Sequence, residues 1–507
     1  MGFNAKKQVE QRTTYEGGKA YQEQHVLELY RLMASSLMTG DTFYAPGGER
    51  LARFRALVDN VLKMNGGEQV IVAMAVWGRE KLYLRTMPTL LVTELLVRGR
   101  YAGLHAADRI WVRGDEHLEA LAYLGVVGAK RTKRLLKAVA NAIGRLNEYK
   151  AVKYQHSSRN YSQRDALKLS HPVPTTPEQN ELFKWILHGT DEFGVYRKSS
   201  EGKGAPAKWV QTYTSRVNLE LLPFIAGKGK EAAWEQIISD EGASKESWEK
   251  AVPVMGYTAL MRNLRNLVEH GVSDGILRTV AAGLADPEKA KQLPYRYYSA
   301  LKHLPSNAPS YLRNALATAM DVSADNLPRL DGETLLLVDI SGSMDDRLSD
   351  KSDVSRIEAV APLAGALARQ GGVTTWIFGA EARIVNIPAK TPVLASMQMI
   401  MNYGGIRRST ATERALKTAT KDRAFDRIII LTDGQAEDNP GRFLLQYVQA
   451  NEGCSVYHVD VAGYAPHSIP SHPRIHVAAG FSDHVLDWIG AVSDMNPIKK
   501  MLDYAGL

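Results

Sequence analysis

Thr334-Leu-Leu-Leu-Val-Asp339-Ile-Ser-Gly-Ser343 is the stretch whose reading decides the fold. An unbroken apolar run, Leu335 to Val338, ends on an aspartate and a short Ser/Gly turn. Such a run reads as a parallel strand buried on both faces, which delivers a carboxylate to its C-terminal end. Ile428-Ile-Ile-Leu-Thr-Asp433-Gly434 has the same form, and Thr410-Ala-Thr-Glu-Arg-Ala-Leu416 opens a helix with Thr410 in the capping position. Open α/β sheets collect ligands outside the carboxyl ends of their strands, so Asp339, Ser341, Ser343, Thr410 and Asp433 are expected to converge there. Hydroxyls and carboxylates without Cys or His suit a hard divalent cation, Mg²⁺ by expectation, whose open positions can take a carboxylate or phosphate from a partner.

Working outward, the stretch from Asp331 to the C-terminus reads as a doubly wound α/β domain. The pattern predicts helices over Arg356 to Gln370, Arg442 to Ala450 and Asp483 to Val492. Strands are predicted over Thr374 to Val385 and Ser455 to Val461, with a short edge strand over Arg474 to Ala478, giving the order β-α-β-α-β-α-β. The three segments together, D-x-S-x-S, T-x-T-x-x-A-L and T-D-G, resemble the metal-ion-dependent adhesion site of von Willebrand factor A domains. All five ligand positions of that family are matched here.

Charge separates this part from what precedes it. The chain carries +8, yet residues 331–507 hold 17 Lys and Arg against 21 Asp and Glu, a net of −4, so that residues 1–330 carry +12. The excess peaks at residues 130–168, where 11 basic residues meet only Glu148 and Asp165. Lys130, Arg131, Lys133, Arg134 and Lys137 begin a predicted helix whose apolar face is Leu135, Leu136, Val139, Ala140 and Ile143, which leaves the cations on the other face. A solvated helix face is the ordinary reading of a charge run, but so few interleaved acids favour a polyanion. Phosphate contacts of that kind give affinity and salt dependence with little sequence choice.

Residues 1–330 read as helical. Apolar residues recur at helical spacing in Val26 to Leu37, Leu51 to Met64, Val70 to Leu84, Leu90 to Leu104, Leu118 to Ile143, Leu182 to Leu187, Leu219 to Phe224, Tyr257 to Leu267, Ile276 to Leu284 and Tyr295 to Leu301. Helical pairs without intervening strands predict an α-solenoid, although no fixed sequence period repeats. Met255-Gly-Tyr-Thr-Ala-Leu-Met-Arg-Asn-Leu-Arg-Asn-Leu267 resembles the M-x-x-T-A-L-L-R-N-L segment of TROVE modules. Those modules are shared by the 60 kDa Ro ribonucleoprotein, telomerase-associated and vault proteins. Lys153-Tyr, Arg159-Asn and Tyr161-Ser-x-x-Asp165-x-Leu-x-Leu-Ser-His171 resemble the Ro segment with K-Y, R-N and W-S-x-x-D-L-L-R-L-S-H. Leu37 to Tyr44 is more loosely similar to the L-x-G-x-x-x-x-T-Y-Y region.

A TROVE module over residues 1–330 followed by an A domain over 331–507 is the order of Ro proteins. The resemblance implies a ring of HEAT-like helical repeats whose ends the A domain joins, binding Y or Y-like noncoding RNA outside and the single-stranded 3′ ends of misfolded RNA in its hole. It further implies work in RNA quality control with a 3′-to-5′ exoribonuclease such as polynucleotide phosphorylase. Carried over by motif, Lys153, Arg159 and His171 become candidate RNA contacts. The sequence departs from the family in the longer step from Tyr154 to Arg159, in Tyr161 for Trp, and in Pro172 after the histidine.

Other features weigh less. His171 reads equally as a helix C-terminal residue near the last carbonyls. Tyr161 reads as packing more readily than as a base-stacking platform. Asn263 is expected to be structural, with Arg262 and Arg265 on the same helical segment left open. His458, His467, His472 and His476 read as loop histidines, because Pro473 opposes the helix that would align a zinc pair. The single cysteine, Cys454, excludes an internal disulfide framework and is expected to begin a buried strand. No apolar run reaches about 18 residues, Met1-Gly-Phe-Asn-Ala-Lys-Lys lacks the apolar core of a signal peptide, and Lys6 stands where myristoylation wants Ser or Thr. A monomeric cytoplasmic protein without membrane attachment is expected. Phosphate-binding loops, nucleophile elbows and paired metal carboxylates of nucleases are missing from the sequence, so no enzyme is expected. The competing reading is a metal-dependent protein-interaction scaffold acting through the A domain.

Overall fold

The computed structural model describes residues 25–26, 28–30, 32–33, 47–82, 84–154, 161–199, 208–226, 234–327, 329–348, 353–402, 410–461, 469, 472, 474–479, 489 and 497–507. Among them, residues within 1–70 and 241–506 form one compact unit and those within 71–240 another. Arg159, His467, the Leu37 to Tyr44 segment and the helix expected over Asp483 to Val492, apart from Ile489, lie outside the described residues.

The first part of the chain is a succession of helices. These are α1 (Gly47–Leu62), α2 (Gly67–Glu80), α3 (Thr86–Val97), α4 (Ala102–Ile110), α5 (Glu116–Val127), α6 (Lys133–Gly144), α7 (Glu148–Lys153), α8 (Gln163–Ser170) and α9 (Pro177–His188). Two long helices expected from periodicity are each broken in two. Gly99 and Gly128 take left-handed backbone, φ 69° and 63°, and end α3 and α5. An antiparallel hairpin then interrupts the helices, β1 (Phe193–Ser199) paired with β2 (Lys208–Ser215), where the sequence reading places no strand. Helices resume with α10 (Trp234–Glu241), α11 (Lys245–Ala251), α12 (Tyr257–Glu269), α13 (Asp274–Leu284), α14 (Pro294–Lys302) and α15 (Ser310–Asp325). The TROVE-like segment Met255 to Leu267 packs as expected of an amphipathic helix, burying Met255, Met261, Leu264 and Leu267. The Tyr257 hydroxyl shares a 2.9 Å hydrogen bond with Tyr297 and donates to the Leu284 carbonyl at 2.8 Å, which joins α12, α13 and α14.

The remaining elements build a six-stranded sheet. In chain order they are β3 (Thr334–Asp339), α16 (Arg356–Ala368), β4 (Val373–Phe378), β5 (Ala382–Val385), α17 (Val393–Met401), α18 (Thr412–Ala419), β6 (Arg427–Thr432), α19 (Pro440–Ala450), β7 (Ser455–Asp460), β8 (Ile475–Ala479) and α20 (Pro497–Ala505). Strand order is β5-β4-β3-β6-β7-β8, parallel except for β5. Thr374 to Val385 is therefore two antiparallel strands with a turn at Gly379, and β8 is the expected edge strand. Leu335, Leu337, Ile428, Ile430 and Val456 face α18 and α19, and α16 packs against β3 and β4. Both β3 and β6 are buried throughout, which is why they read as unbroken apolar runs. The chain leaves β3 toward β4 on one side and returns to β6 on the other, so the crevice where the strand order reverses opens between Asp339 and Asp433.

Candidate functional site

Register brings the two aspartates together. Val338 pairs with Leu431, so the Asp339 carboxylate emerges beside Thr432 and Asp433 follows one residue later. Asp339 is fully buried; its Oδ1 accepts the Ser341 N–H at 2.8 Å and its Oδ2 the Thr432 hydroxyl at 2.5 Å. The Ser341 and Ser343 hydroxyls lie 3.2 Å apart in the same turn. Thr410 arrives on a loop pinned at two points: Ala411 N–H donates to the Gly379 carbonyl, and Glu437 N–H donates to the Thr410 carbonyl, both at 3.0 Å. Thr410 is buried but does not cap α18, which starts at Thr412 after Ala411; the loop, not a cap, positions its hydroxyl. Gly434 has φ 77°, and a Cβ there would sit 3.0 Å from Asp460 Oδ2, so only glycine fits this turn.

The donor set fits a hard divalent cation. Burial, reinforced by the neighbouring Asp433 charge, pushes the Asp339 pKa up to about 6 despite the hydrogen bonds from Thr432 and Ser341. Two buried carboxylates held side by side call for a cation to compensate them. One protein cation is already there, and sequence reasoning misses it: Arg356, with its side chain 7 % exposed, donates from Nη1 to Asp433 Oδ2 at 2.9 Å and to the Ser343 carbonyl at 3.1 Å. Its only sequence signal is an arginine at the start of an apolar helix, 77 residues from its partner.

The basic region is exposed but differs in detail from expectation. Thr132 caps α6, accepting the Leu135 N–H at 3.2 Å and donating to the Leu96 carbonyl at 2.7 Å. Lys130 and Arg131 therefore precede the helix, while Lys133, Arg134 and Lys137 lie on it; all five are exposed or nearly so. The buried face is Leu135, Ala138, Val139, Ala142 and Ile143, with Leu136 and Ala140 at its margin. Lys153 is half-buried, ion-paired to Glu235 at 3.2 Å and set over the Tyr149 ring. His171 ends α8 in left-handed backbone, φ 47°, its N–H bonded to the Leu167 carbonyl and its side chain exposed. Arg164 and Lys168 are exposed on α8 with it, and the sequence reading counts them only as charge.

Of the remaining candidates, Asn263 is structural, donating to the Ala259 carbonyl at 2.9 Å, and Arg265 pairs with Glu269. His458 and His476 are strand residues of β7 and β8 rather than loop residues; His458 is buried and His476 stacks on Tyr457. Cys454 is buried immediately before β7, and burial pushes its thiol up to about 12. No described helix is long and apolar enough to cross a membrane.

Residues 225–332 match the family model for the TROVE domain. The crystal structure of the Deinococcus radiodurans RO (RSR) protein superposes with a TM-score of 0.65 at 19 % identity, covering 93 % of this chain and 99 % of that one. A conserved hypothetical protein, BatB from Bacteroides thetaiotaomicron, matches at a TM-score of 0.24 and 16 % identity over 34 % of this chain and 98 % of its own. No curated protein matches. The resemblance to the 60 kDa Ro family read from the sequence is borne out by the TROVE match and by a shared fold along nearly the whole chain.

Proposed function

We propose that this chain, with its TROVE-matching segment and Ro-type fold, is an RNA-binding protein of the Ro type. The observation that carries the reading is the run of cations Lys130, Arg131, Lys133, Arg134 and Lys137 around the start of α6, in the part of the chain where positive charge is concentrated. Their partner is a Y-like noncoding RNA or a misfolded RNA with a single-stranded 3′ end, delivered in quality control to a 3′-to-5′ exoribonuclease; the chain itself is not an enzyme. His171, Arg164 and Lys168 add further exposed basic side chains on α8, whereas Lys153 is engaged by Glu235 and contributes less. Asp339, Ser341, Ser343, Thr410 and Asp433 would hold Mg²⁺, which when bound offers an open position to an anionic group of a partner.

The test is a salt titration of binding to a structured RNA with a 3′ tail. Replacing Lys130, Arg131, Lys133 and Arg134 with Ala should weaken binding and flatten the slope of log K against log salt by up to about 3, the share of four phosphate contacts. Equal slopes would remove this face from the site. The scaffold reading, supported by the buried Asp339 and Asp433 with the Ser341 and Ser343 hydroxyls in the adjoining turn, expects instead that Asp339→Asn abolishes capture of a protein partner with RNA binding intact.

A further inference from the structure

We propose that Arg356 is a built-in counter-cation of the adhesion site, which weakens divalent-ion binding and makes the loaded site more positive, and so more receptive to an anionic ligand, than its carboxylates alone would leave it. The inference rests on the metal reading above and deepens it.

Arg356 occupies the first position of α16, directly after the Ser355 cap. A cation there opposes the helix dipole and is desolvated as well, so an acidic partner must hold it. The structure supplies that partner from the candidate ligand set itself: Nη1 lies 2.9 Å from Asp433 Oδ2, with the Ser343 carbonyl at 3.1 Å and the exposed Asp346 carboxylate at 3.5 Å. The Arg356 N–H also donates to the Asp346 carbonyl at 2.9 Å, which fastens the first turn of α16 to the loop that carries Ser341 and Ser343. The guanidinium therefore spans the site from one ligand segment to another.

Formal charge sets the consequence. Asp339 and Asp433 supply two negative charges and Arg356 one positive, so the arginine makes the site one unit more positive than its carboxylates alone, both before a divalent ion enters and after it is bound. The exposed Asp346 and the buried Asp460 beside Gly434 add negative charge that is the same with or without the arginine. The arginine thus repels the metal and, through the surplus charge, attracts a carboxylate or phosphate oxygen. These two effects have opposite signs, which a purely structural role would not produce.

Mn²⁺ titration of the full chain, read by the loss of free-ion electron paramagnetic resonance, tests this, followed by inorganic phosphate added to the Mn²⁺-loaded protein. Arg356→Gln should bind Mn²⁺ at least about tenfold more tightly and phosphate more weakly, whereas Arg356→Lys, which keeps the charge, should stay near wild type on both. Equal or weaker Mn²⁺ binding by folded Arg356→Gln overturns the proposal, as does a lysine variant that tightens like the glutamine one. If wild type and Arg356→Gln both fail to bind Mn²⁺, the metal reading falls and the inference with it; binding by wild type that Asp339→Asn abolishes keeps the metal reading whatever Arg356 does. Should Arg356→Gln not fold, the side-chain ¹⁵N signal of Arg356 in the wild type decides: Mg²⁺ must shift it, and a signal left in place overturns the proposal.

Discussion

At the scale of single residues, His117 shows what burial demands of a titratable group. It is completely buried in α5, with Nε2 2.8 Å from the Gln163 Oε1, and the Gln163 amide donates onward to the Gly114 carbonyl. The ring must be neutral: burial, partly offset by the Gln163 hydrogen bond, lowers its pKa from 6.5 to about 4. The unfolded chain binds a proton at higher pH than the folded one does, so folding loses stability as pH falls below 6.5 toward 4. The expected loss from this group at pH 5 is about 2 kcal/mol. Urea midpoints of wild type and His117→Gln at pH 7.5 and pH 5 check it; the variant should lose less on acidification by about that amount, and parallel losses would refute the assignment. At this scale the sequence is informative where partners are neighbours. Asp339, Ser341 and Ser343 share one turn and can be read together, whereas Gln163 lies 46 residues from His117 and Arg356 lies 77 from Asp433. Those pairings exist only through the register of the sheet and the packing of helices.

Elements are legible wherever a period and its punctuation agree. The apolar runs of β3 and β6 announce buried parallel strands, and the apolar stretch of α16 announces a buried helix, which packs on β3 and β4. Errors come from letting period outweigh punctuation. Gly128 and Thr132 stand inside the run Leu118 to Ile143, and they are the stop and start signals that divide α5 from α6. The hairpin of β1 and β2 escapes the reading although Val195, Tyr196, Trp209, Val210, Thr212 and Tyr213 are strand-forming residues, because helical periods on both sides dominate. Thr132 is the more consequential, since its hydroxyl satisfies the Leu135 N–H of α6 and donates to the Leu96 carbonyl at the end of α3. Thr132→Ala should lower stability by about 1–2 kcal/mol, and Thr132→Ser should restore most of it. Chemical denaturation of both variants measures this. Because Lys133, Arg134 and Lys137 ride on α6, fraying of its first turn in Thr132→Ala should also weaken the RNA binding proposed for this helix while leaving the charge count unchanged.

At the scale of the molecule, the sequence marks a change near residue 331, from basic helices to a mildly acidic α/β sheet. It does not show how the two kinds of structure are fastened where they share one compact unit. One fastening is at Glu358, which closes the capping box of α16 by accepting the Ser355 N–H at 2.9 Å and accepts from Lys302 at 2.6 Å and Tyr298 at 3.0 Å, both on α14; another is at α15, where Arg369 donates to Asp325 at 3.0 Å and the Val393 N–H donates to Asp321 at 2.7 Å. Lys302 also donates to the Asp353 carbonyl at 2.8 Å. Burial works against the Glu358 charge, but Lys302 and the Ser355 N–H outweigh it and hold the carboxyl below its usual range. A carboxylate lowered in this way adds stability that is fully present above the ordinary value of 4.5 and fades as pH falls through the folded-state value. A double-mutant cycle with Glu358→Gln and Lys302→Met should therefore return a coupling of about 1–2 kcal/mol at neutral pH, the range for a partly buried pair, and little in acid. Hydrogen exchange gives the structural counterpart. If Glu358 ties α14 to the first turn of α16, Lys302→Met should speed exchange at the amides of residues 356–358, next to the Arg356 that reaches Asp433; unchanged exchange there would mean that the joint is held by other contacts, apolar packing of α14 on α16 and the Arg369 and Val393 bonds to α15.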